Sequence, residues 1–231
     1  MVPFSKLLWS SVGKKVVMAI TGLAMIIFLI EHLSGNLLLF NKNPEPFNKY
    51  SHFLISFGSI LVVVELILVA ILVFHMISGI SIALGKRKAR PSRYAKTGSA
   101  GGASKKTFSS MTMIYTGILL FVFVVIHLKT FKYGPGIEEG YVVATNGGEQ
   151  IRDLHGLVYD VFQKPGYVIW YVVSMMFLGF HLRHGFWSAF QSLGAYHPRY
   201  MPIIYSVGII VAIVLAVGFL GIPLWIYFTG A

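Results

Sequence analysis

Cysteine is absent from all 231 residues. Without thiolates the chain can hold no iron–sulfur cluster of its own. It can form no disulfide and attach no c-type haem. Acidic residues are also scarce: eight Asp and Glu stand against nineteen Lys and Arg, for a net charge of +11. Charged residues make up only 12%, where a soluble domain carries about 25%. What replaces them is apolar, at 56% of the chain and a mean hydropathy of +0.74. Lipid is therefore the expected solvent. So basic a soluble protein would raise nucleic acid as a partner. Here the cations lie in loops beside apolar runs and no nucleic-acid motif accompanies them, so nucleic acid is not expected.

Five apolar runs stand out: Val16–Phe40, Phe53–Leu84, Met111–Phe131, Tyr167–Phe190 and Ile203–Phe228. Each exceeds or matches the roughly 20 residues a spanning helix needs. None alternates polar and apolar residues as a membrane barrel strand does. The expectation is an all-α membrane protein, one domain over residues 1–231 with five transmembrane helices. The first run has no small-residue cleavage site after it and is expected to be retained.

Loop charge gives the orientation. With the N-terminus inside, the inner side holds Lys6, Lys14, Lys15, the run from Lys86 to Lys106, Arg183 and Arg199, and no acidic residue. The outer side then mixes Lys42, Lys49, Lys129, Lys132, Arg152 and Lys164 with six carboxylates. The N-terminus is expected in the cytoplasm and the C-terminus outside. The loop Arg90–Lys106 is rich in Gly, Ser and Ala, the composition of a flexible linker. It is either a topology signal or a docking or anionic-lipid surface. The outer loop Lys132–Lys164 is long for a helix connection, with length enough to fold over the outer mouth of the bundle.

Four histidines fall late in four different runs: His32, His75, His127 and His181. Ionisable residues in lipid are costly and generally functional. The first and third helices run outward, so His32 and His127 share an outer level. The second and fourth run inward, so His75 and His181 share an inner one. A b-type haem takes two axial imidazoles from different helices of a bundle. Two haems are expected, an outer one between His32 and His127 and an inner one between His75 and His181, within a four-helix haem-binding bundle. The fifth helix carries no histidine and is expected only to complete the bundle. Zinc or copper would gather its ligands at one level. His184, three residues from His181, is either an alternative ligand or a haem propionate contact. His155 and His197 are expected at a surface or interface.

An internal echo supports the pairing. The first and third runs share M-x-x-T-G-x(9)-H-L, so Gly22 precedes His32 as Gly117 precedes His127. The second and fourth share H-x-x-x-G, at His75–Gly79 and His181–Gly185. Ten helical residues rise about 15 Å, which brings Gly22 and Gly117 near the level of the other haem. There a glycine admits a flat macrocycle close to the backbone, or packs helix against helix.

The stretches G-K-K-V-V-M-A-I-T-G-L-A from Gly13, E-H-L-S-G-N-L-L-L-F from Glu31 and H-L-R-H-G-F-W-S-A-F-Q-S-L-G from His181 resemble the cytochrome b anchor subunit of succinate dehydrogenase. The likeness is to the single-subunit, five-helix, di-haem branch shared with fumarate reductase. It covers nearly the whole chain and is least in the loops Arg90–Lys106 and Lys132–Lys164. The resemblance implies a multi-pass protein of a bacterial cytoplasmic membrane, with His32, His75, His127 and His181 as iron ligands. It implies a flavoprotein with covalent FAD and an iron–sulfur subunit docked on the cytoplasmic face. Electrons from succinate would pass through the clusters and the two b haems to a quinone, usually menaquinone. The chain would not oxidise succinate by itself. It would be the electron-transfer and quinone-reacting subunit in a respiratory chain that meets the tricarboxylic acid cycle.

A quinone headgroup needs a hydrogen-bond partner and a proton route in an apolar pocket. Glu65, inside V-V-V-E-L-I-L-V and ten residues before His75, is the first candidate, and burial is expected to keep it neutral. A satisfied structural carboxyl is the competing reading. His52, at the outer mouth of the second helix, is either a second candidate, a haem propionate contact or a plain loop histidine. Ser11 and Lys14, with Ser10 at the base of the first, mark an alternative inner site. Glu31 is expected to face headgroups or the loops. Two other functions fit parts of this pattern. One is the di-haem anchor of another membrane oxidoreductase. The other is a transporter relaying protons through membrane histidines; broken helices at mid-membrane would support it and none is clear, although Pro202 and Pro223 bracket the fifth helix.

Overall fold

A computed structural model describes residues 6, 9–88, 107–145 and 147–230 of the chain. The loop Arg90–Lys106, read as a topology signal or as a docking or anionic-lipid surface, lies outside the described residues. Among the described residues, five helices are long and apolar enough to cross a membrane. They are α1 (Ser11–Asn36), α3 (Ser59–Lys88), α4 (Phe108–His127), α6 (Pro165–Ser192) and α7 (Met201–Thr229). Two shorter helices, α2 (Glu45–Ser56) and α5 (Leu154–Phe162), and two short strands, β1 (Val142–Ala144) and β2 (Gln150–Arg152), complete the order.

Local chemistry sets the helix ends. Ser10 Oγ accepts from the Gly13 amide at 3.0 Å, so α1 begins five residues before its apolar run. A serine there satisfies a donor that the first turn leaves open. Thr107 and Ser110 cap α4 reciprocally: each hydroxyl accepts from the other's amide, at 3.2 and 2.9 Å. Pro202 stands in the first turn of α7, where a missing N–H costs nothing. Pro223 lies inside α7 rather than beyond its end. It does not bracket the helix, which continues to Thr229.

The apolar run Phe53–Leu84 is not one helix. It breaks at Gly58, whose φ of +52° falls in the left-handed region that glycine adopts without cost. The run's residues up to Ser56 belong to α2 and those from Ser59 to α3. The outer loop Lys132–Lys164 is structured, holding the antiparallel pair β1–β2 and helix α5. The expectation of an all-helical chain missed this ribbon. Its strands are three residues each, too short for an alternating pattern to show.

The chain divides into two compact units to which each long helix contributes a part. One comprises Met1–Ile27, Leu68–Ile118 and Phe180–Ala212, and holds His75 and His181. The other comprises Phe28–Ile67, Leu119–Gly179 and Ile213–Ala231, and holds His32 and His127.

In the second unit a polar latch joins α2 to the loop. Asn48, 1% exposed, donates to Asp153 Oδ1 at 2.7 Å, and its own carbonyl oxygen accepts from the His155 amide at 2.9 Å. Asp153 also caps α5 through the Gly156 amide at 2.9 Å. His155, expected at a surface or interface, is buried. It stacks on Tyr159 at 4.1 Å, and its Nε2 lies 3.2 Å from the Asn41 carbonyl. A lone histidine in a polar loop gives no sign of this, because the carbonyl that receives its proton is 114 residues away.

Candidate functional site

In the first unit, α3 and α6 bring His75 and His181 together with ring centres 6.3 Å apart. The imidazole facing His75 is that of His181. His184 turns its ring edge-on to Trp187 at 5.2 Å. In the second unit, α1 and α4 bring His32 and His127 to 5.8 Å. Each predicted pair is therefore a spatial pair drawn from two different helices.

Neighbouring groups hold three of the four rings. His75 Nδ1 lies 3.3 Å from Thr21 Oγ1 and 3.2 Å from the Met18 carbonyl. His181 Nδ1 lies 3.0 Å from Thr116 Oγ1. His127 Nδ1 lies 3.0 Å from the hydroxyl of Tyr171 on α6. Phe28, and Phe219 of α7, flank His32 at 5.3 and 5.9 Å. The fifth long helix thus does more than complete a bundle, because it supplies a wall of this pair. Phe123, Phe131 and Tyr171 surround His127, and Phe162 of α5 packs on Tyr171 at 4.9 Å. The apolar run alone does not single out Thr21, Thr116 or Tyr171. The available signal was the T-G dipeptide repeated in the first and third runs.

Both echoed glycines lie against an imidazole. A Cβ on Gly22 would meet His75 Cε1 at 3.1 Å, and one on Gly117 would meet His181 Cε1 at 3.7 Å. The first is tighter than ordinary packing allows, so Gly22 leaves room for the ring to stand close to α1.

The residues fit a haem. A metal–imidazole bond is about 2 Å and the ring centre lies about 1 Å beyond, so two axial imidazoles on one iron have centres roughly 6 Å apart. Both pairs meet that spacing. Among the described residues, no three His, Cys, Asp or Glu side chains gather as a metal site. Each pair offers two nitrogens, short of the three or four that zinc takes from protein. A porphyrin brings its own four nitrogens and needs only two axial ligands. One turn along α6 from Tyr171, the fully buried Ser174 Oγ has no protein partner. A buried hydroxyl left so is costly unless a non-protein group takes it up.

The quinone candidates scatter. Glu65 is partly exposed and its carboxylate pairs with the ammonium of Lys132, in the turn that follows α4. The expected neutral, buried acid is instead one half of an ion pair. His52 Nε2 lies 3.6 Å from Glu149. Ser11 is exposed in the first turn of α1, and the Lys14 ammonium lies 5.8 Å over the Trp9 ring. Glu31 accepts from the Tyr50 hydroxyl at 2.8 Å rather than facing headgroups alone. Burial and that carboxylate push the Tyr50 phenol up to about 12, so Tyr50 stays a donor. Two surface clefts, one beside Asn48 and Ile151 and one beside His155 and Tyr159, include none of the four quinone candidates.

No protein-family model, curated protein or solved structure matches the chain. The helices and side chains therefore define its class: a multi-pass helical membrane protein with two facing imidazole pairs.

Proposed function

We propose that the chain is the di-haem cytochrome b anchor of a succinate:quinone oxidoreductase. The single observation that carries the reading is two imidazole pairs, each from two helices, each spaced for axial ligation of one iron. When bound, the haems supply reversible one-electron iron chemistry. The protein's part is to present His75 with His181, and His32 with His127, and to surround the second pair with the aromatic rings of Phe28, Phe123, Phe131 and Phe219. A cysteine-free chain needs partners for the earlier steps, an iron–sulfur protein and a flavoprotein. The excess of basic residues on one set of loops supports a cytoplasmic N-terminus and docking on that face. The purified membrane complex should show two b haems per chain with low-spin bis-imidazole spectra. It should also contain a flavoprotein and a cysteine-rich subunit. A colourless, folded complex would sink the haem reading, and two haems without those partners would sink the succinate assignment.

The Glu65–Lys132 pair is the quinone-reacting element in this reading. Reducing a quinone consumes protons as well as electrons, and in this reading Glu65, held in place by Lys132, is the carboxylate beside the headgroup that serves as general base. Glu65→Gln removes that base while keeping size and hydrogen bonding. Quinone turnover should fall about a hundredfold, with both haem spectra unchanged. Unaltered turnover and pH profile in the variant would remove Glu65 from the scheme.

A further inference from the structure

The repeated T-G dipeptide has a chemical content that its glycines do not exhaust. Thr21 Oγ1 lies 2.7 Å from the Val17 carbonyl and 3.2 Å from the Met18 carbonyl. Thr116 Oγ1 lies 3.1 Å from the Met113 carbonyl. A hydroxyl has one proton and two lone pairs, and a carbonyl can only accept. A carbonyl of its own helix is within reach of each threonine proton, and we infer that the proton goes there. Toward the neighbouring imidazole each threonine offers lone pairs alone. His75 Nδ1, which also faces the Met18 carbonyl, must then carry its proton. His181 Nδ1 does the same toward Thr116 with the threonine proton on the Met113 carbonyl. In a neutral imidazole the other nitrogen is then the acceptor.

We propose that Thr21 and Thr116 are paired positioning residues for the His75–His181 site. They commit both rings to the Nδ1–H form and so present two Nε2 lone pairs to one iron. The proposal rests on the haem reading for its consequence but not for the hydrogen bonding itself. The pairing crosses between helices: the T-G of α1 serves a ring on α3, and the T-G of α4 serves a ring on α6. In each, threonine holds one edge of the ring while the following glycine leaves space at Cε1. The other pair is built differently. His127 meets a phenol, which can give or take a proton, so its tautomer is not set in this way.

An acceptor on the far nitrogen raises the basicity of a histidine ligand, and a more basic ligand favours oxidised iron. Loss of a neutral hydrogen bond is worth about a fivefold change in an equilibrium. In Thr116→Val the His75–His181 haem should be about fivefold more reduced at a fixed ambient potential, a rise of about 40 mV for one electron. The haem between His32 and His127 should not move, and Thr116→Ser should restore the parent value. A redox titration of the whole complex, followed by absorbance and low-spin resonance, measures this. Nitrogen-15 spectra of the histidine rings, recorded on the haem-free chain, provide a second readout. His181 should carry its proton on Nδ1 in the parent and lose that preference in Thr116→Val.

A parent chain with His181 protonated on Nε2 overturns the inference, whatever the haem content. So does a Thr116→Val complex whose two titration curves overlie the parent's, or a Thr116→Ser complex that behaves like the valine variant. A parent complex without haem would defeat the cytochrome reading instead. The nitrogen spectra would then decide the threonine–imidazole bonds independently.

Discussion

If the proposed di-haem reading holds, replacing His181 with alanine should leave the complex with one haem instead of two. The facing ring of His75 is 6.3 Å away by ring centres, and no third His, Cys, Asp or Glu joins the pair among the described residues. One imidazole cannot supply both axial bonds of a low-spin iron. The surviving haem should keep its parent spectrum, because its ligands lie in the other unit with their own supports, Phe28, Phe219 and Tyr171. His32→Ala should give the complementary result and lose the other haem. The two single-haem spectra should sum to that of the parent. Pyridine-haem quantitation with low-temperature resonance checks both variants. Retention of two haems with unaltered ligand fields in either one would reject the pairing. The Thr116→Val change is milder by design, since it alters how a ligand is held without removing it.

The second large effect is structural. Asn48→Ala should lower the melting temperature of the complex by roughly 5–10 °C, from a loss of about 2–4 kcal/mol. The cost follows from burial. Asn48 is the shared partner of the Asp153 carboxylate and the His155 amide. Deleting it leaves the buried His155 amide without an acceptor and takes one donor from the half-buried Asp153 carboxylate, and an unpaired buried donor costs more than the bond is worth in exchange with solvent. The damage should spread toward one haem. Helix α5 carries Phe162 onto Tyr171, and Tyr171 holds His127. The His32–His127 spectrum should therefore broaden while the His75–His181 spectrum stays sharp. Calorimetry paired with resonance tests this, and an unchanged transition would show that the latch carries no weight.

The same latch has a pH arm. Burial lowers the His155 imidazole from its ordinary value, against the opposing pull of the Asn41 carbonyl and Asp153. Protonation is then easier in the unfolded chain than in the folded one. Stability from this group is complete above the ordinary value near 6.5 and falls as pH drops through it toward the lower folded value. In His155→Gln the melting temperature should decline less steeply over that interval.

Much of the fold was legible because lipid imposes a coarse requirement. A span must be long, apolar and helical, since backbone groups find no water there. Runs such as Ile203–Phe228 answer that with little ambiguity, and α7 extends only two residues before and one after it. The run Phe53–Leu84 misled because composition does not register a single backbone angle. Gly58 divides it into α2 and α3 through one positive φ. The histidine pairs were legible for a related reason. Polar rings within apolar runs are rare, and helix direction sorts them by depth. The partners of those rings were not. Threonine in an apolar helix usually bonds back to its own turn, as Thr21 and Thr116 also do, so nothing local marks the second bond to an imidazole.

By itself, the sequence determined the solvent, the number of spans and the histidines that belong together, because hydropathy and helical rise depend on residue order alone. Tertiary structure decided which oxygen faces each Nδ1, that Glu65 meets Lys132, and that Asn48 rather than a surface holds His155. Those facts depend on distances between residues 44 to 107 positions apart. A hydrogen bond made across such a span leaves no periodic trace in the chain that makes it.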